Sequence, residues 1–156
     1  MNPRALSMVA LLTACSASSM PSEGRSCTAI GCVDGFSVTV TSSGAWPAGE
    51  YVVKVVADGV TTTCSATLPL TQSSTSVCSG PGVQVGLSGS LLPASQQSIS
   101  TVSLSSTPKA VAIEITRDGA SIGARTYAPS YVTSRPNGPE CEPICTNASD
   151  TLAVAP

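Results

Sequence analysis

The sequence predicts an all-β protein, an antiparallel β-sandwich of about seven short strands that is stapled by disulfides. Serine and threonine are abundant, and the chain of 156 residues holds one phenylalanine and one tryptophan. Several runs alternate apolar and polar residues between turns rich in glycine and proline, and no stretch shows a sustained helical repeat. Seven cysteines are present. This combination favours two packed sheets over helices.

The first fourteen residues have the layout of a secretory signal peptide. Arg4 precedes an apolar run, 5–14, that is shorter than the roughly 20 residues needed to span a bilayer. Leu12-Thr13-Ala14-Cys15 then resembles the lipobox of bacterial lipoproteins. The resemblance implies cleavage before Cys15, acylation of Cys15 with chains such as palmitate, and, because Ser16 rather than aspartate follows, an outer-membrane location. A plain secretory signal or a misassigned start codon is the alternative.

The remaining chain divides into three parts. Residues 15–26 are small, polar and proline-containing, which indicates a flexible tether. Residues 27–145 form the predicted sandwich domain, and 146–156 are expected to be a frayed or loosely docked tail. Removing residues 1–14 removes one of seven basic residues and leaves nine acidic ones, a net charge of −3. Charges are few and form no basic patch, so we expect no nucleic-acid binding.

The first predicted hairpin joins two β-rich runs, Tyr51–Ala57 and Val60–Leu68, through Asp58-Gly59. An Asp-Gly dipeptide between such runs is typical of a two-residue type I′ turn. The resulting register pairs Ala57 with Val60, Val55 with Thr62, Val53 with Cys64 and Tyr51 with Ala66. Apolar residues then share one face and Lys54 lies with threonines on the other, so turn chemistry and alternation agree.

The second predicted hairpin repeats this pattern around Asp118-Gly119, between 110–117 and 120–127. A regular register makes Glu114 and Arg125 diagonal neighbours on the polar face. The apolar face would carry Val111, Ile113, Ile115, Ile122 and Ala124. Three further strands are predicted from alternation at 36–41, 83–87 and 99–104. About seven strands of this spacing suggest an immunoglobulin-like or transthyretin-like architecture, in shape only.

The cysteine count supports the lipobox independently. Assigning Cys15 to lipid leaves an even set, as disulfides in an exported chain require. The set is Cys27, Cys32, Cys64, Cys78, Cys141 and Cys145. A Cys64–Cys78 bridge would tie the first hairpin to the next segment. The other four allow two local bridges or two bridges joining the ends, and the joining pattern is favoured because 135–145, with three prolines, has little strand or helix potential. Zinc thiolate binding is disfavoured by the absence of histidine.

Several motifs together carry a family resemblance. They are Gly31-Cys32-x-Asp34-Gly35-Phe36, Trp46-Pro-x-Gly49-x-Tyr51, Asp58-Gly59 with Cys64, and the closing Pro136-Asn-Gly-Pro-Glu-Cys-Glu-Pro-Ile-Cys145. The chain resembles uncharacterised lipoproteins of myxobacteria-like Gram-negative bacteria over most of residues 15–146, and the closing motif is the most specific part. The resemblance implies an envelope location and disulfides, and it supplies no catalytic residues.

Catalytic chemistry has little support in the sequence. Without histidine the usual general base and the commonest metal ligand are missing. Asp34, Asp58 and Asp118 each precede glycine and are explained as turn residues. Glu140 and Glu142 flank Cys141 and could offer oxygens to calcium, but solvated charges are the favoured interpretation. We therefore expect no enzyme, no cofactor and no metal.

Two aromatic residues are candidates for ligand binding, Trp46 beside Pro47 and Tyr131. Exposed aromatic rings stack on sugars or anchor protein partners. For Trp46, a plug at one end of the sandwich is the favoured alternative. The sequence as a whole predicts a non-catalytic cell-envelope lipoprotein, held to the membrane by its N-terminal lipid, with a structural or partner-binding role. The alternative is an adhesion module that binds a carbohydrate or an envelope protein.

Overall fold

The computed structural model describes residues 26–156 and shows two five-stranded sheets packed as a sandwich. The strands are β1 Gly35–Ser42, β2 Gly49–Ala57, β3 Val60–Leu68, β4 Val77–Cys78, β5 Val83–Ser88, β6 Ser98–Leu104, β7 Val111–Arg117, β8 Ala120–Tyr127, β9 Val132–Ser134 and β10 Cys145–Val154. A short 3₁₀-helix, Ala94–Gln96, precedes β6. The predicted all-β sandwich is confirmed. The strand number was too low, because two very short strands and β10 were missed.

Each sheet takes its five strands from separate parts of the chain. Sheet I has the order β5-β6-β1-β10-β9, and sheet II has the order β4-β3-β2-β7-β8. Every adjacent pair is antiparallel except β1 with β10, which run parallel over eight residue pairs, Gly35 with Asn147 to Ser42 with Val154. Sheet I therefore brings the first and last described strands together at its centre.

The first hairpin has the predicted register. Ala57 pairs with Val60 and Tyr51 with Ala66, with all intervening pairs in step. Asp58 and Gly59 both have positive φ, 47° and 85°, as a type I′ turn requires. The Asp58 carboxylate also accepts hydrogen bonds from the backbone N–H groups of Lys109 and Ala110 at 3.0 and 2.9 Å. The turn residue thus fixes the start of β7 as well as its own hairpin.

The second hairpin departs from the predicted register because of a β-bulge in β8. Thr116 faces Ser121, but Ile115 faces Gly123, so Ile122 is an extra residue. Beyond the bulge every β8 side chain changes face. Ala124 lies opposite Glu114 instead of on the apolar face, and the predicted Glu114–Arg125 neighbourhood is wrong.

Arg125 instead reaches the other sheet. Its Nη1 lies 3.1 Å from Asp150 Oδ1 and donates to the Thr151 carbonyl at 2.9 Å. Its guanidinium also lies 5.0 Å from the centre of the Tyr127 ring. The side chain therefore links β8 of sheet II to β10 of sheet I at the side of the sandwich.

The expectation of a frayed tail at 146–156, and of a domain ending at 145, is wrong. Residues 145–154 form β10, between β1 and β9. Leu152 and Val154 are buried at 2% and 6% exposure, and their alternation with polar neighbours is a strand pattern. The segment is ordered because a parallel partner, β1, lies more than one hundred residues earlier in the chain.

The core lies between the sheets and is built mainly from alternate strand residues. It is rich in valine, isoleucine and leucine, together with four aromatic rings, those of Phe36, Trp46, Tyr51 and Tyr127. The rings pack in two pairs: Phe36 with Tyr127 at 5.4 Å between centroids, and Trp46 with Tyr51 at 5.3 Å. Within residues 26–156, no helix has the length and apolar character to cross a bilayer.

Candidate functional site

Two disulfides clasp the beginning of the described chain to its closing motif. Cys27 is bonded to Cys141, and Cys32 to Cys145. The favoured pattern, in which bridges join the two ends, is confirmed. Cys64 and Cys78 form the third bridge, also as predicted, between directly opposed residues of β3 and β4. We call the segments 26–34 and 135–145 together the clasp.

A buried amide organises the clasp between its disulfides. The Asn137 side chain is 8% exposed, and its Oδ1 accepts hydrogen bonds from Thr28 Oγ1 at 2.7 Å and Ile30 N at 2.8 Å. Its Nδ2 donates to the carbonyls of Ile30 and Glu142 at 3.0 and 2.6 Å. The amide therefore pairs with Ile30 as a neighbouring strand would, in a region with no strand of its own.

The carboxylates considered as catalytic or metal-binding groups have structural contacts. Asp34 Oδ1 accepts from Thr146 N at 2.6 Å, and Glu142 Oε2 from Ile144 N at 3.1 Å. Glu140 is also engaged. Among residues 26–156 no group of three or more His, Cys, Asp or Glu is placed to hold a metal ion. The absence of an enzymatic activity stays a prediction.

Trp46 lies inside the sandwich. The side chain is 7% exposed and packs against Tyr51, whose hydroxyl donates to the Pro47 carbonyl at 2.7 Å. The favoured interpretation of Trp46 as an end plug is confirmed. Its use as an exposed stacking platform is wrong, because the ring offers almost no free face.

Tyr131 is half-buried at the opposite end of the sandwich. Its hydroxyl donates to the Pro108 carbonyl at 2.9 Å, next to the Asp58 turn. Burial, helped by the nearby Asp58 carboxylate, raises the pKa of the Tyr131 phenol above its ordinary value. The nine residues of β2 separate this end from Trp46 by about 30 Å. Trp46 and Tyr131 therefore do not form one aromatic site.

The best candidate site is a groove of about 660 Å³ on the outer face of sheet I, which we call the sheet I groove. Four opposed residues on adjacent strands run across it as a row. The row is Gln84 of β5, Ser103 of β6, Ser37 of β1 and Ser149 of β10. Each alternates with residues that contact the core, such as Phe36 and Val38 beside Ser37, so the row faces outward.

The clasp builds one end of this groove. Val33 lies on its wall and is 81% exposed, between Cys32, which is bonded to Cys145, and Asp34, which holds Thr146 N. Gly35 follows with φ of 119°, and a Cβ there would lie 1.9 Å from the Leu104 carbonyl oxygen. Only glycine permits so close a crossing of β1 and β6, so this wall is held both covalently and sterically.

The polar groups of the groove are available for a ligand. In residues 26–156, the side chains of Ser37, Gln84, Ser103, Asn147 and Ser149 make no hydrogen bond to the protein. No lysine or arginine lines this part of the described chain, and the one carboxylate, Asp34, is engaged by Thr146. Within the described residues the groove therefore has no positive charge, has the single negative charge of Asp34 at its end, and is rich in free donors and acceptors.

Sequence reasoning did not find the sheet I groove. Alternation predicts that Ser37 and Ser103 face outward, but it does not say that β6, β1 and β10 are neighbours. The contribution of Asn147 and Ser149 was missed because β10 was expected to be a tail. Cys15, the predicted lipidation residue, lies outside the described residues.

Comparisons with protein-family models, with curated proteins and with solved structures found no match to the chain.

Proposed function

We propose that the protein is a non-catalytic cell-envelope lipoprotein, tethered to the outer membrane through Cys15, that displays a disulfide-bonded sandwich outside the cytoplasm. The sandwich has a structural or partner-binding role. The observation that carries the proposal is the state of the cysteines. All six cysteines within residues 26–156 are paired, and disulfides persist in oxidising compartments.

The position of the remaining cysteine supports the membrane attachment. Cys15 follows the apolar run of a signal peptide, and pairing of the other six removes any need for it as a disulfide partner. Cys27, twelve residues further on, is bonded to Cys141. A tether from the membrane would thus meet the domain at a covalently secured point.

The proposal is tested by intact-mass spectrometry of the protein extracted from its own membrane. We expect a chain that begins at Cys15, carries at least two acyl chains and resists thiol alkylation at its other six cysteines. Two acyl chains or more are needed for stable anchoring. Cys15→Ser should abolish the added mass and membrane retention, whereas the neighbouring Ser16→Ala should preserve both. A mature protein that keeps Met1 and has alkylatable thiols would contradict the proposal.

A second candidate function is an adhesion or binding module that takes a carbohydrate or protein. The specific observation in its favour is the sheet I groove, with five unpartnered polar side chains and an exposed Val33. The aromatic residues do not support it, because Trp46 is buried and Tyr131 lies at the other end. The groove therefore takes the place of these rings as the candidate binding site.

A further inference from the structure

We propose that the sheet I groove binds a segment of a neutral glycan chain. The inference deepens the second candidate function and rests on it, but it does not depend on acylation of Cys15. Four features of the groove point to this ligand: its hydrogen-bonding capacity, its lack of basic side chains, its apolar wall and its rigidity.

The hydrogen-bonding groups of the groove match the hydroxyls of a sugar. Serine hydroxyls each donate and accept, and the amides of Gln84 and Asn147 offer separate donors and acceptors. A sugar hydroxyl likewise donates and accepts, so it can form a hydrogen bond with either the donors or the acceptors of the groove. Since the row spans four strands about 4.8 Å apart, its length is about 14 Å, enough for more than one sugar ring.

The charge of the groove selects among polymers. Phosphates, nucleic acids and acidic polysaccharides are bound by lysine and arginine, and none lines this groove within the described residues. The next outward row is also neutral: Gly86, Thr101, Thr39 and Thr151. An anionic ligand would lose hydration here without a compensating ion pair, and it would lie close to the Asp34 carboxylate. A neutral glycan meets no such cost.

Val33 supplies the apolar contact that a sugar requires. A pyranose ring has a C–H face beside its hydroxyls, and an 81% exposed valine at the groove wall is suited to cover it. Disulfide-bonded Cys32 and the engaged carboxylate of Asp34 hold Val33 in place. The floor is formed by strands and, apart from Gln84, by short side chains, so little conformational entropy is lost on binding.

The size of the groove is consistent with a small segment of a chain. Its volume of about 660 Å³ lies within the roughly 300–1,000 Å³ of small-molecule sites. The neutral row of Gly86, Thr101, Thr39 and Thr151 lies beside it on the same face of sheet I, so a bound polymer can extend beyond the groove. We therefore expect an internal segment of a chain to be recognised, not only its end.

The test uses the oxidised full-length chain in detergent and a panel of immobilised hexasaccharides. The neutral probes are cellohexaose, maltohexaose, laminarihexaose and chitohexaose, and the anionic probes are hexagalacturonate and a heparin hexasaccharide. We expect binding to at least one neutral probe and to neither anionic one. Isothermal titration with the best probe then gives the Kd for the variants.

Ser37→Val and Ser149→Val keep good strand formers while removing hydroxyls from the row. Each should raise Kd roughly fivefold to tenfold. Ser65→Val makes the same change on β3 of sheet II and should leave Kd unchanged. If a valine variant does not fold, Gln84→Ala and Asn147→Ala, at exposed positions, serve in its place.

Three outcomes would overturn the inference: no neutral hexasaccharide binds, only the anionic probes bind, or groove variants and Ser65→Val bind equally well. Chemical shifts of the Ser37, Ser103 and Ser149 amides give a direct readout, because they should move on titration while sheet II amides do not. The acyl mass measured on Cys15 does not depend on glycan binding. Failure of glycan binding is therefore distinguishable from failure of the lipoprotein proposal.

Discussion

At the scale of residues, two buried side-chain amides form the backbone hydrogen bonds that a neighbouring strand forms elsewhere. Asn137 pairs with the backbone of Ile30 in the clasp, and Gln97 does the same for Leu70 at the other end of the sandwich. Gln97 is 5% exposed, and its Nε2 also donates to the Leu92 carbonyl at 3.0 Å. The two amides thereby give hydrogen-bond partners to backbone groups that lie in loops and would otherwise have none.

Replacement of Gln97 by alanine should therefore be costly. Gln97→Ala leaves the N–H and carbonyl of Leu70 and the carbonyl of Leu92 without their partner, and we expect a loss of about 2–3 kcal/mol in the free energy of unfolding. Urea denaturation of the oxidised protein measures it. Gln96→Ala, the exposed neighbour, should change stability by less than about 0.5 kcal/mol. Equal effects of the two substitutions would show that the Gln97 amide is dispensable.

At the scale of elements, the bulge in β8 decides how the two sheets meet along one side. Gly123 lies at the bulge, and the absence of a side chain there lets β10 approach. A Cβ at Gly123 would lie 2.7 Å from Val154 Cγ1 and 3.0 Å from the Ala153 carbonyl oxygen. The Ala155 N–H then donates to the Ile122 carbonyl at 2.9 Å, which joins the sheets by a backbone hydrogen bond.

Gly123→Ala should accordingly push β10 away from β8. We expect a loss of about 1–3 kcal/mol, since the close contact includes backbone that cannot move alone. The backbone amide of Ala155 should also exchange its hydrogen faster, because its hydrogen bond to the Ile122 carbonyl is weakened. Gly44→Ala is the matched control, because a Cβ at Gly44 meets no heavy atom within 4 Å. If Gly123→Ala were as stable as Gly44→Ala, the close approach of β8 and β10 would not exist in solution.

At the scale of the whole molecule, the two clasp disulfides act redundantly. Cys27–Cys141 and Cys32–Cys145 each close a loop of more than one hundred residues, with sequence separations of 114 and 113. Once one bridge has formed, the second closes only the short ring between them. In the chain-entropy model, the first is worth about 4.7 kcal/mol and the second about 3 kcal/mol.

Removing one clasp bridge should thus cost much less than removing both. We expect Cys27→Ser/Cys141→Ser to lose about 3 kcal/mol, and the variant with all four clasp cysteines changed to serine to lose about 7–8 kcal/mol. Hydrogen exchange of the first variant should increase in 26–31 and 135–142 but not in β10, which β1 holds in place. The redundancy would be contradicted if removing the first bridge cost as much stability as removing the second. In the Cys27→Ser/Cys141→Ser variant, the Cys64–Cys78 region, tied by its own bridge, should show no local increase in exchange.

Short-range chemistry explains what was predictable in this fold. The register of the β2–β3 hairpin follows from Asp58-Gly59 and the alternation around it, all within eighteen residues. The same logic was wrong for β8, because the bulge at Ile122 satisfies a contact with β10 that lies outside the hairpin. The local pattern therefore predicted the positions of these strands well. It predicted which side chains share a face of the sheet only where no distant strand altered the register.

The sequence by itself determined the β-rich character of the chain, its Asp-Gly turns and the presence of six cysteines after residue 26, which the structure pairs. Turn preference and side-chain alternation act over a few residues, so they are readable without knowledge of neighbours. The tertiary structure alone decided that β10 is an interior strand, that β8 has a bulge at Ile122 and that Ser37, Ser103 and Ser149 line one groove. These features depend on which distant strands become adjacent, and that choice is made by burial of the whole core rather than by any local segment.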